Sequence, residues 1–261
     1  MKTIRDVVMS DIAGLTGLFV TGTDTGVGKT WVAAILTRLL VQRGLRVRPR
    51  KPVESGCASG EVGLLPQDAV ALWEAAGGTE PLQQVCAYPL RAALSPERAA
   101  ALEGRTLNLD QLVTACRSGV GADDFLLVEG AGGLLSPLAA GTTNADLAAA
   151  LRLPVLVVAA DRLGVINHAL LTVEALQHRA LPLVGVVLNQ TGPVTDPLMD
   201  NAADLAHWLD CPMERVLHRP RHQAPAWAGI GPFLHGLADR LATAHVAPKG
   251  MPSNANCAVQ K

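Results

Sequence analysis

The 261-residue chain is 49% hydrophobic, which is enough to build the core of one large α/β domain. Its formal net charge of −1 and its aromatic content of 3% argue against a polyanion binder, so no nucleic-acid partner is expected. Its apolar runs are too short to cross a bilayer, and no membrane partner is expected either.

The first predicted element is a short buried strand at 18–21, which leads into a glycine-rich loop and a helix. The loop has the sequence TGTDTGVGKT over residues 21–30. Apolar residues then recur at i, i+3, i+4, i+7 and i+8, the stripe of a helix packed on one face, and Gly44 ends it. A glycine-rich turn between a strand and a helix aims backbone N–H groups at an anion, so this segment predicts a phosphate-binding loop.

Two side chains of this loop suit a nucleotide phosphate. Lys29 supplies positive charge for the β- and γ-phosphates, and the hydroxyl of Thr30 can coordinate Mg²⁺. Five residues separate Gly22 from Gly28, whereas the common pattern has four. A Gly/Thr-rich turn without a ligand is the alternative, and the intact Gly-Lys-Thr between strand and helix argues against it.

Strand-like and helix-like segments alternate along the rest of the chain. This order predicts a single α/β domain of the phosphate-loop NTPase type, with a parallel sheet flanked by helices on both faces. Further strands are predicted at 45–53, 125–128, 155–158 and 184–188, and helices at 69–76, 108–117, 146–151, 166–179, 200–209 and 233–244. The domain is expected to span 18–244, with an N-terminal extension at 1–17 and a disordered tail at 245–261.

The cysteines and the first residues favour a cytoplasmic location. The five cysteines are scattered without C-x-x-C spacing, which indicates reduced thiols rather than disulfides or a zinc site. The seven histidines are dispersed as well, so a histidine metal site is not expected. Residues 1–17 lack a long apolar segment, and no signal peptide is predicted there.

Polar residues that close the predicted strands are candidate ligand contacts, because ligands of open α/β sheets bind beyond the carboxyl ends of the strands. These residues are Lys51, Glu129, Asp161 and Asn189. Lys51 falls on the face of its strand that should be apolar. It is either a solvated strand end or a second lysine aimed at phosphate or developing negative charge.

Glu129 and Asn189 each have two interpretations, and Asp68 has one default role. Glu129 follows an apolar strand, as the Walker-B carboxylate of a Mg²⁺ site does, or it is a capping residue beside the flexible glycines at 130–133. Asp68 precedes a predicted helix, where an N-cap is its default role. Asn189 either ends its strand through a local side-chain turn or contacts an adenine edge.

Five sequence blocks resemble the dethiobiotin synthetase family. They are VTGTDTGVGKT at 20–30, KPVESG at 51–56, VEGAGG at 128–133, LGVINH at 163–168 and LN at 188–189. The first three are specific together, because the wider loop spacing and the KPVxSG block are unusual among phosphate-loop proteins. Gly26 departs from members that carry an acidic residue there, and Gln190 from members with an aspartate.

The resemblance implies an enzyme, an ATP- and Mg²⁺-dependent cyclo-ligase of biotin biosynthesis. Such a ligase closes the cyclic urea of dethiobiotin from 7,8-diaminononanoate and CO₂, through a carbamate and a carbamic–phosphoric anhydride. It also implies a homodimer, in which the segment 163–168 reaches the substrate of the other subunit. The alternative for this segment is an ordinary helix start with Asn167 as a local cap.

By motif position, the resemblance also implies roles for individual residues. Lys29 and Lys51 would be catalytic. The Mg²⁺ ion would be held by Thr30, Asp68 and Glu129, and the diamine and carbamate would be bordered by Thr25, Ser55 and Asn167. ATP would be bound by Gly26, Val27, Gly28, Lys29, Thr30, Trp31, Asp68, Glu129, Gly130, Ala131, Gly132, Asn189, Gln190, Pro220, Arg221 and His222.

A different class of protein shares this fold and a similar loop. Nucleotide-switch ATPases of the partitioning or metal-insertion type usually carry a second lysine early in the loop, where this chain has Asp24. They act through partner surfaces and rarely need the block at 51–55. A bare nucleotide-binding module is a third possibility, and it would bind ATP without forming a product.

Overall fold

A computed structural model describes residues 16–60, 63–192, 196, 198–217 and 231–246. The strands in these ranges are β1 Gly17–Gly22, β2 Arg46–Arg50, β3 Val53–Ser55, β4 Ala58–Gly60, β5 Gly63–Leu65, β6 Tyr88–Leu90, β7 Asp124–Gly133, β8 Pro137–Ala139, β9 Thr142–Thr143, β10 Val155–Ala160, β11 Leu183–Asn189 and β12 Met213–Val216. The helices are α1 Lys29–Gln42, α2 Gln67–Ala75, α3 Leu82–Val85, α4 Pro96–Leu102, α5 Leu109–Arg117, α6 Asn144–Leu151, α7 Val165–His178, α8 Asn201–Ala206 and α9 Pro232–Val246.

Six parallel strands form the central sheet, in the order β12-β11-β10-β1-β7-β2. Along β1, Leu18 and Val20 pack into the layer of α1, α2, α3 and α9, whereas Phe19 packs into the layer of α4 to α8. Strands covered on both faces are apolar at every position, which is why the predicted strands were continuous apolar runs. The predicted fold class is confirmed.

The strand predicted at 45–53 is divided in two. Its first part, β2, lies at one end of the central sheet, whereas β3 pairs with β6 in a separate two-stranded sheet. The break falls at Lys51 and Pro52. The backbone N–H of Lys51 donates to Val85 instead of continuing the ladder, and Pro52 has no N–H to donate.

The strand predicted at 125–128 is longer than expected and irregular. β7 continues through Glu129 to Gly133, so Glu129 lies inside the strand and not at its end. Between Val20–Glu129 and Gly22–Gly133 the register shifts, because β7 advances four residues while β1 advances two. Such a bulge redirects the side chains of a strand, and this one lies beside the phosphate-binding loop.

The predicted helices are present, and their ends differ from the predictions by at most three residues. α5 begins with a capping box in which Asn108 and Gln111 bond each other's backbone N–H groups. The prediction missed the short elements β4, β5, β6, β8, β9, β12, α3 and α4. Segments of two to seven residues show too little periodicity to be detected.

Both predicted domain boundaries need correction. Gly17 already belongs to β1, and α9 extends to Val246, two residues into the predicted disordered tail. Residues 1–15 of the extension and 247–261 of the tail lie outside the described residues, as does the predicted adenine-side segment 220–222. Among the residues that the structure describes, no helix has the length and apolar character needed to cross a membrane.

Candidate active site

The phosphate-binding loop enters α1 at Gly28, which has a φ of +91°. Any side chain on Gly28 would also collide with the amide of Asn189, so both conformation and space require glycine. Asn189 ends β11, and its Nδ2 donates a hydrogen bond of 2.9 Å to the carbonyl of Val27. The amide therefore braces the loop, a role that neither sequence interpretation included. Its contact with adenine stays a prediction.

Lys29 is the first residue of α1, and it is buried with 6% exposure. Its Nζ donates to the carbonyl of Asp24 at 2.9 Å, which folds the side chain back over the loop. Burial, and next the nearby Lys51 cation, lower the pKa of Lys29 to about 8. The N-cap Gly28 has no side chain to cap the first turn of α1, so the N–H groups of that turn and Lys29 together suit an incoming anion.

Lys51 is buried with 3% exposure, so its interpretation as a solvated strand end is wrong. Its Nζ lies 2.6 Å from Oε1 of Glu129 and 2.9 Å from Oδ2 of Asp68, and it also donates to the carbonyl of Gly130 at 3.2 Å. Burial alone would lower the pKa of Lys51, but the two carboxylates raise it above its ordinary value. Lys51 therefore stays a cation inside the site.

Glu129 is 1% exposed, and its interpretation as a capping residue beside a flexible turn is wrong. Its Oε1 is shared by Lys51 and by the hydroxyl of Thr30, which donates to it at 2.8 Å. Among the described residues, its Oε2 has no hydrogen-bond partner. A buried carboxylate oxygen without a partner is unfavourable unless a further ligand completes the site.

Asp68 is the second residue of α2, whose N-cap is Pro66, so the predicted N-cap role is wrong. Its carboxylate instead forms the ion pair with Lys51, and its side chain is 43% exposed. Burial would raise the pKa of Asp68, but the Lys51 cation lowers it below the ordinary value. The sequence default failed because Lys51, in the connection between β2 and β3, and not the local backbone, engages this side chain.

These elements border a cleft of about 720 Å³. Its lining includes most of the predicted site residues: Thr25, Gly26, Gly28, Lys29, Thr30, Trp31, Lys51, Ser55, Asp68, Glu129, Ala131 and Gly132. The lining also includes residues for which no individual role was predicted: Glu54, Ala93, Leu94, Ser95, Pro96, Ser136 and Pro137. The structure therefore brings together residues from the loop and the start of α1, from the connection after β2, from β3 and β7, and from α2.

Comparison with known proteins identifies relatives of the chain. A family model described as an AAA domain matches residues 16–217. An ATP-dependent dethiobiotin synthetase from Anaeromyxobacter dehalogenans (strain 2CP-C) is 54% identical over 191 residues, which cover 73% of this chain and 84% of the relative. That of Cellvibrio japonicus (strain Ueda107) is 47% identical over 203 residues, which cover 77% and 88%.

The chain belongs to the dethiobiotin synthetase family. Relatives of this name do not favour the nucleotide-switch ATPase as an alternative. Among solved structures, a nucleotide-binding protein in complex with ADP from Archaeoglobus fulgidus is similar with a TM-score of 0.38 and 14% identity, over 89% of each chain.

Three oxygen-bearing side chains of this dethiobiotin synthetase family member fit a Mg²⁺ ion, namely Thr30, Asp68 and Glu129. Their donors are one hydroxyl and two carboxylates, and the unpartnered Oε2 of Glu129 is available to a cation. Within the described ranges, no group of three or more His, Cys, Asp or Glu could hold a metal without other ligands. Mg²⁺ sites commonly take one or two carboxylates and complete their shell with phosphate oxygens and water.

Several predicted residues lie outside the cleft. Val27 is buried beneath the loop at 2% exposure, and the backbone N–H of Gln190 donates to Val216. Asn167 is exposed in the first turn of α7, whose N-cap is Gly164, so the alternative of Asn167 as a local cap is wrong. Its contact with a substrate stays a prediction, as do the contacts of Pro220, Arg221 and His222.

The sequence-based predictions missed Asn144, whose side chain bonds the backbone of the segment after Glu129. Asn144 is fully buried at the start of α6, and its Oδ1 accepts a hydrogen bond of 3.0 Å from the N–H of Ala131. Its Nδ2 donates to the carbonyls of Ala131 and Gly133 at 2.7 and 2.8 Å. A side chain at Gly130 would collide with this amide. No local pattern distinguishes Asn144 from an ordinary first residue of a helix.

Proposed function

We propose that this protein is an ATP-dependent dethiobiotin synthetase, a cyclo-ligase of biotin biosynthesis. One observation carries the proposal beyond family membership, namely the convergence of Lys29, Lys51 and Glu129 on one cleft. A phosphate-binding loop with a second, buried lysine suits a reaction in which two anions must meet. The substrates would be ATP, 7,8-diaminononanoate and CO₂ or bicarbonate.

The reaction divides into three bond-making steps. One amine of the diamine adds to CO₂ and loses a proton, which gives a carbamate. A carbamate oxygen attacks the γ-phosphorus of ATP, and the bond to ADP breaks, which gives a carbamic–phosphoric anhydride. The second amine attacks the carbonyl carbon, the bond to phosphate breaks, and loss of a proton leaves the cyclic urea.

The side chains of the cleft suit the middle step. Lys29 and Lys51 would stabilise the negative charge of the carbamate and of the transferred phosphoryl group. A Mg²⁺ ion held by Thr30, Asp68 and Glu129 would neutralise charge on the β- and γ-phosphates. No nucleophilic side chain is required, because the amines of the substrate perform both attacks on carbon.

The rest of the cleft would position the substrates. Thr25 and Ser55 border it beside the two lysines, in keeping with contacts to the carbamate and the diamine. Asn144 bonds the backbone of Ala131 and Gly133, and the glycines of this segment would allow close approach of a ligand. Asn189, Gln190 and the segment 220–222 would lie on the adenine side.

Assembly and location form the finer part of the proposal. We infer a homodimer in which Asn167 reaches the diamine in the cleft of the second subunit. In support, Asn167 is exposed at the start of α7, and the nearby Leu163 is 91% exposed, as expected of residues that a second subunit would cover. The buried cysteines Cys57, Cys86 and Cys116 are free thiols, which supports a cytoplasmic location.

One assay tests the function. The purified protein is incubated with ATP, Mg²⁺ and bicarbonate, with and without the diamine, while phosphate release and dethiobiotin are both measured. We expect phosphate release that depends on the diamine and equals the dethiobiotin formed. Equal phosphate release without the diamine would indicate a switch ATPase, and ATP binding with no product would indicate a bare nucleotide-binding module.

A further inference from the structure

Glu54 is a buried carboxylate of the cleft wall that the reaction described above does not use. It lies in β3 with 6% exposure, three residues after Lys51. Its Oε1 accepts the backbone N–H of Asp68 at 3.0 Å, and its Oε2 accepts the N–H of Ala69 at 3.0 Å. Both oxygens therefore face the first turn of α2, the helix that carries Asp68.

The first turn of α2 needs this external partner. Its N-cap is Pro66, whose ring has no polar group, and no side chain of the N-cap bonds to the helix. Ala69 has 0% exposure, so its N–H cannot turn to solvent instead. The negative charge of Glu54 also lies at the positive end of the helix, where it is stabilising.

The contacts of Glu54 and Lys51 with Asp68 tie the start of β3 to the start of α2 at two points. Glu54 holds the backbone of Asp68, the carboxylate of Asp68 pairs with Nζ of Lys51 at 2.9 Å, and Lys51 is joined to Glu54 through only two residues. The backbone of Glu54 in β3 is held in turn, because Glu54 pairs with Pro89 of β6 and its carbonyl accepts a hydrogen bond from the thiol of Cys57.

The hydrogen bonds of its carboxylate oxygens distinguish Glu54 from the proposed metal ligand Glu129. Each oxygen of Glu54 already receives a backbone N–H, whereas Oε2 of Glu129 has no partner among the described residues. Burial raises the pKa of Glu54 above its ordinary value, which is the behaviour of a carboxylate shielded from water. Its geometry suits the alignment of another carboxylate better than direct coordination.

We propose that Glu54 is a positioning residue, which holds the start of α2 so that the carboxylate of Asp68 stays beside Lys51 and the Mg²⁺ site. The inference rests on the proposed function only for the role of Asp68 at Mg²⁺. The alignment of α2 by Glu54 is independent of the reaction.

The chain offers a matched control for the loss of such a contact. Glu214 in β12 is buried with 7% exposure, and its two oxygens accept the N–H groups of Gly231 and Leu234 at 2.6 and 2.7 Å, at the start of α9. This arrangement repeats that of Glu54 on a helix that does not line the cleft. Glu214→Ala therefore reports the general effect of removing a buried helix-capping carboxylate.

The experiment compares Glu54→Ala with Glu214→Ala in the full chain. Hydrogen exchange is followed by NMR at the amides of Asp68 and Ala69, and Mn²⁺ binding is measured by EPR with a non-hydrolysable ATP analogue present. For Glu54→Ala we expect faster exchange of both amides and Mn²⁺ binding weakened about 10- to 100-fold, the usual effect of losing an outer partner of a metal ligand. Glu214→Ala should lower Tm and change neither measurement.

Slow exchange together with wild-type Mn²⁺ affinity in Glu54→Ala would overturn the proposal. Equal effects of both variants on Mn²⁺ binding would also overturn it, because the weaker binding would then follow from the loss of any buried helix-capping carboxylate. If Glu54→Ala does not fold, Glu54→Gln decides in the same way, since it keeps one acceptor oxygen and should free the amide at the other. A wild-type protein without ligase activity would refute the proposed function, and the exchange comparison would still test Glu54.

Discussion

Nζ of Lys51 lies 2.6 Å from Oε1 of Glu129, just beyond the last paired residues of the neighbouring parallel strands β2 and β7. Arg50 pairs with Val128 in that ladder, so Lys51 directly follows β2 and Glu129 is the next residue along β7. Both are buried, and the hydroxyl of Thr30 contacts the same carboxylate. A residue of the predicted phosphate-binding loop, a carboxylate and a buried lysine thus meet beyond the end of β2.

Replacing Lys51 by Ala should lower kcat while leaving ATP affinity within a few-fold of wild type. In the proposed reaction the lost cation would act on the carbamate and the transferred phosphoryl group, and one such stabiliser is worth about 10²–10³ in rate. Single-turnover phosphoryl transfer and calorimetric ATP binding separate the two effects. Near-normal turnover would contradict a role for Lys51 in the reaction.

This prediction needs a control for folding. Removing one partner of a buried ion pair destabilises a protein by about 3–5 kcal/mol, because the other charge stays buried. The double variant Lys51→Met with Glu129→Gln removes both charges, so we expect a Tm closer to wild type than that of Lys51→Ala. Its activity should stay low. Recovery of activity together with stability would mean that Lys51 serves only the fold.

Replacing Asp68 by Asn should raise the Mg²⁺ concentration needed for half-maximal activity, by about tenfold. The amide keeps the shape of the side chain and loses the charge that faces Lys51 and the metal. Asp110 is the second residue of α5, as Asp68 is of α2, and it lies away from the cleft. Asp110→Asn should therefore leave the Mg²⁺ dependence unchanged.

Glu129→Gln should shift the Mg²⁺ requirement in the same direction as Asp68→Asn, because Oε2 of Glu129 has no hydrogen-bond partner among the described residues and could bind a cation. Mg²⁺ titrations of steady-state activity measure the shift. A normal Mg²⁺ requirement in both variants would remove these carboxylates from the metal shell.

Replacing Asn189 by Ala should weaken ATP and GTP binding by the same factor. The amide holds the carbonyl of Val27, so its loss loosens the loop beneath the phosphates and not the base. Leaving a buried carbonyl without its partner costs about 1–3 kcal/mol, and 1.4 kcal/mol is a factor of ten in affinity. Calorimetry with both nucleotides is the measurement. A loss confined to ATP would show instead that Asn189 recognises adenine.

The proposed homodimer predicts a light-scattering mass of twice the 27.2 kDa chain. Asn167→Ala should then raise the KM for the diamine and leave the KM for ATP unchanged, because only the substrate tail would be touched. A monomeric mass at assay concentrations, or an unchanged KM for the diamine, would count against shared sites.

Mixed dimers give a sharper test of sharing. Lys51→Ala subunits and subunits disabled at the start of α7 are each impaired alone. In a hybrid, one of the two clefts would carry both intact halves, so part of the activity should return. No recovery after demonstrated subunit exchange would mean that each site is built from one chain.

Local sequence patterns determined the phosphate-binding loop, the strands of the central sheet and the polar residues near the strand ends. Each of these features depends on neighbours within a few residues. A glycine-rich turn between strand and helix suffices to predict anion binding, and apolar runs suffice to predict buried strands. The resemblance of five blocks to a known family then indicated the chemistry.

Only the tertiary structure decided which side chains meet. Lys51 and Glu129 are 78 residues apart, and the register of β2 against β7 brings them together. The N-cap prediction for Asp68 was wrong because its partner, Lys51, lies outside its own helix. The hydrogen bond from Asn189 to the carbonyl of Val27 joins residues 162 positions apart. Periodicity specifies the face on which a side chain lies, whereas the partner on that face depends on strand register and helix docking.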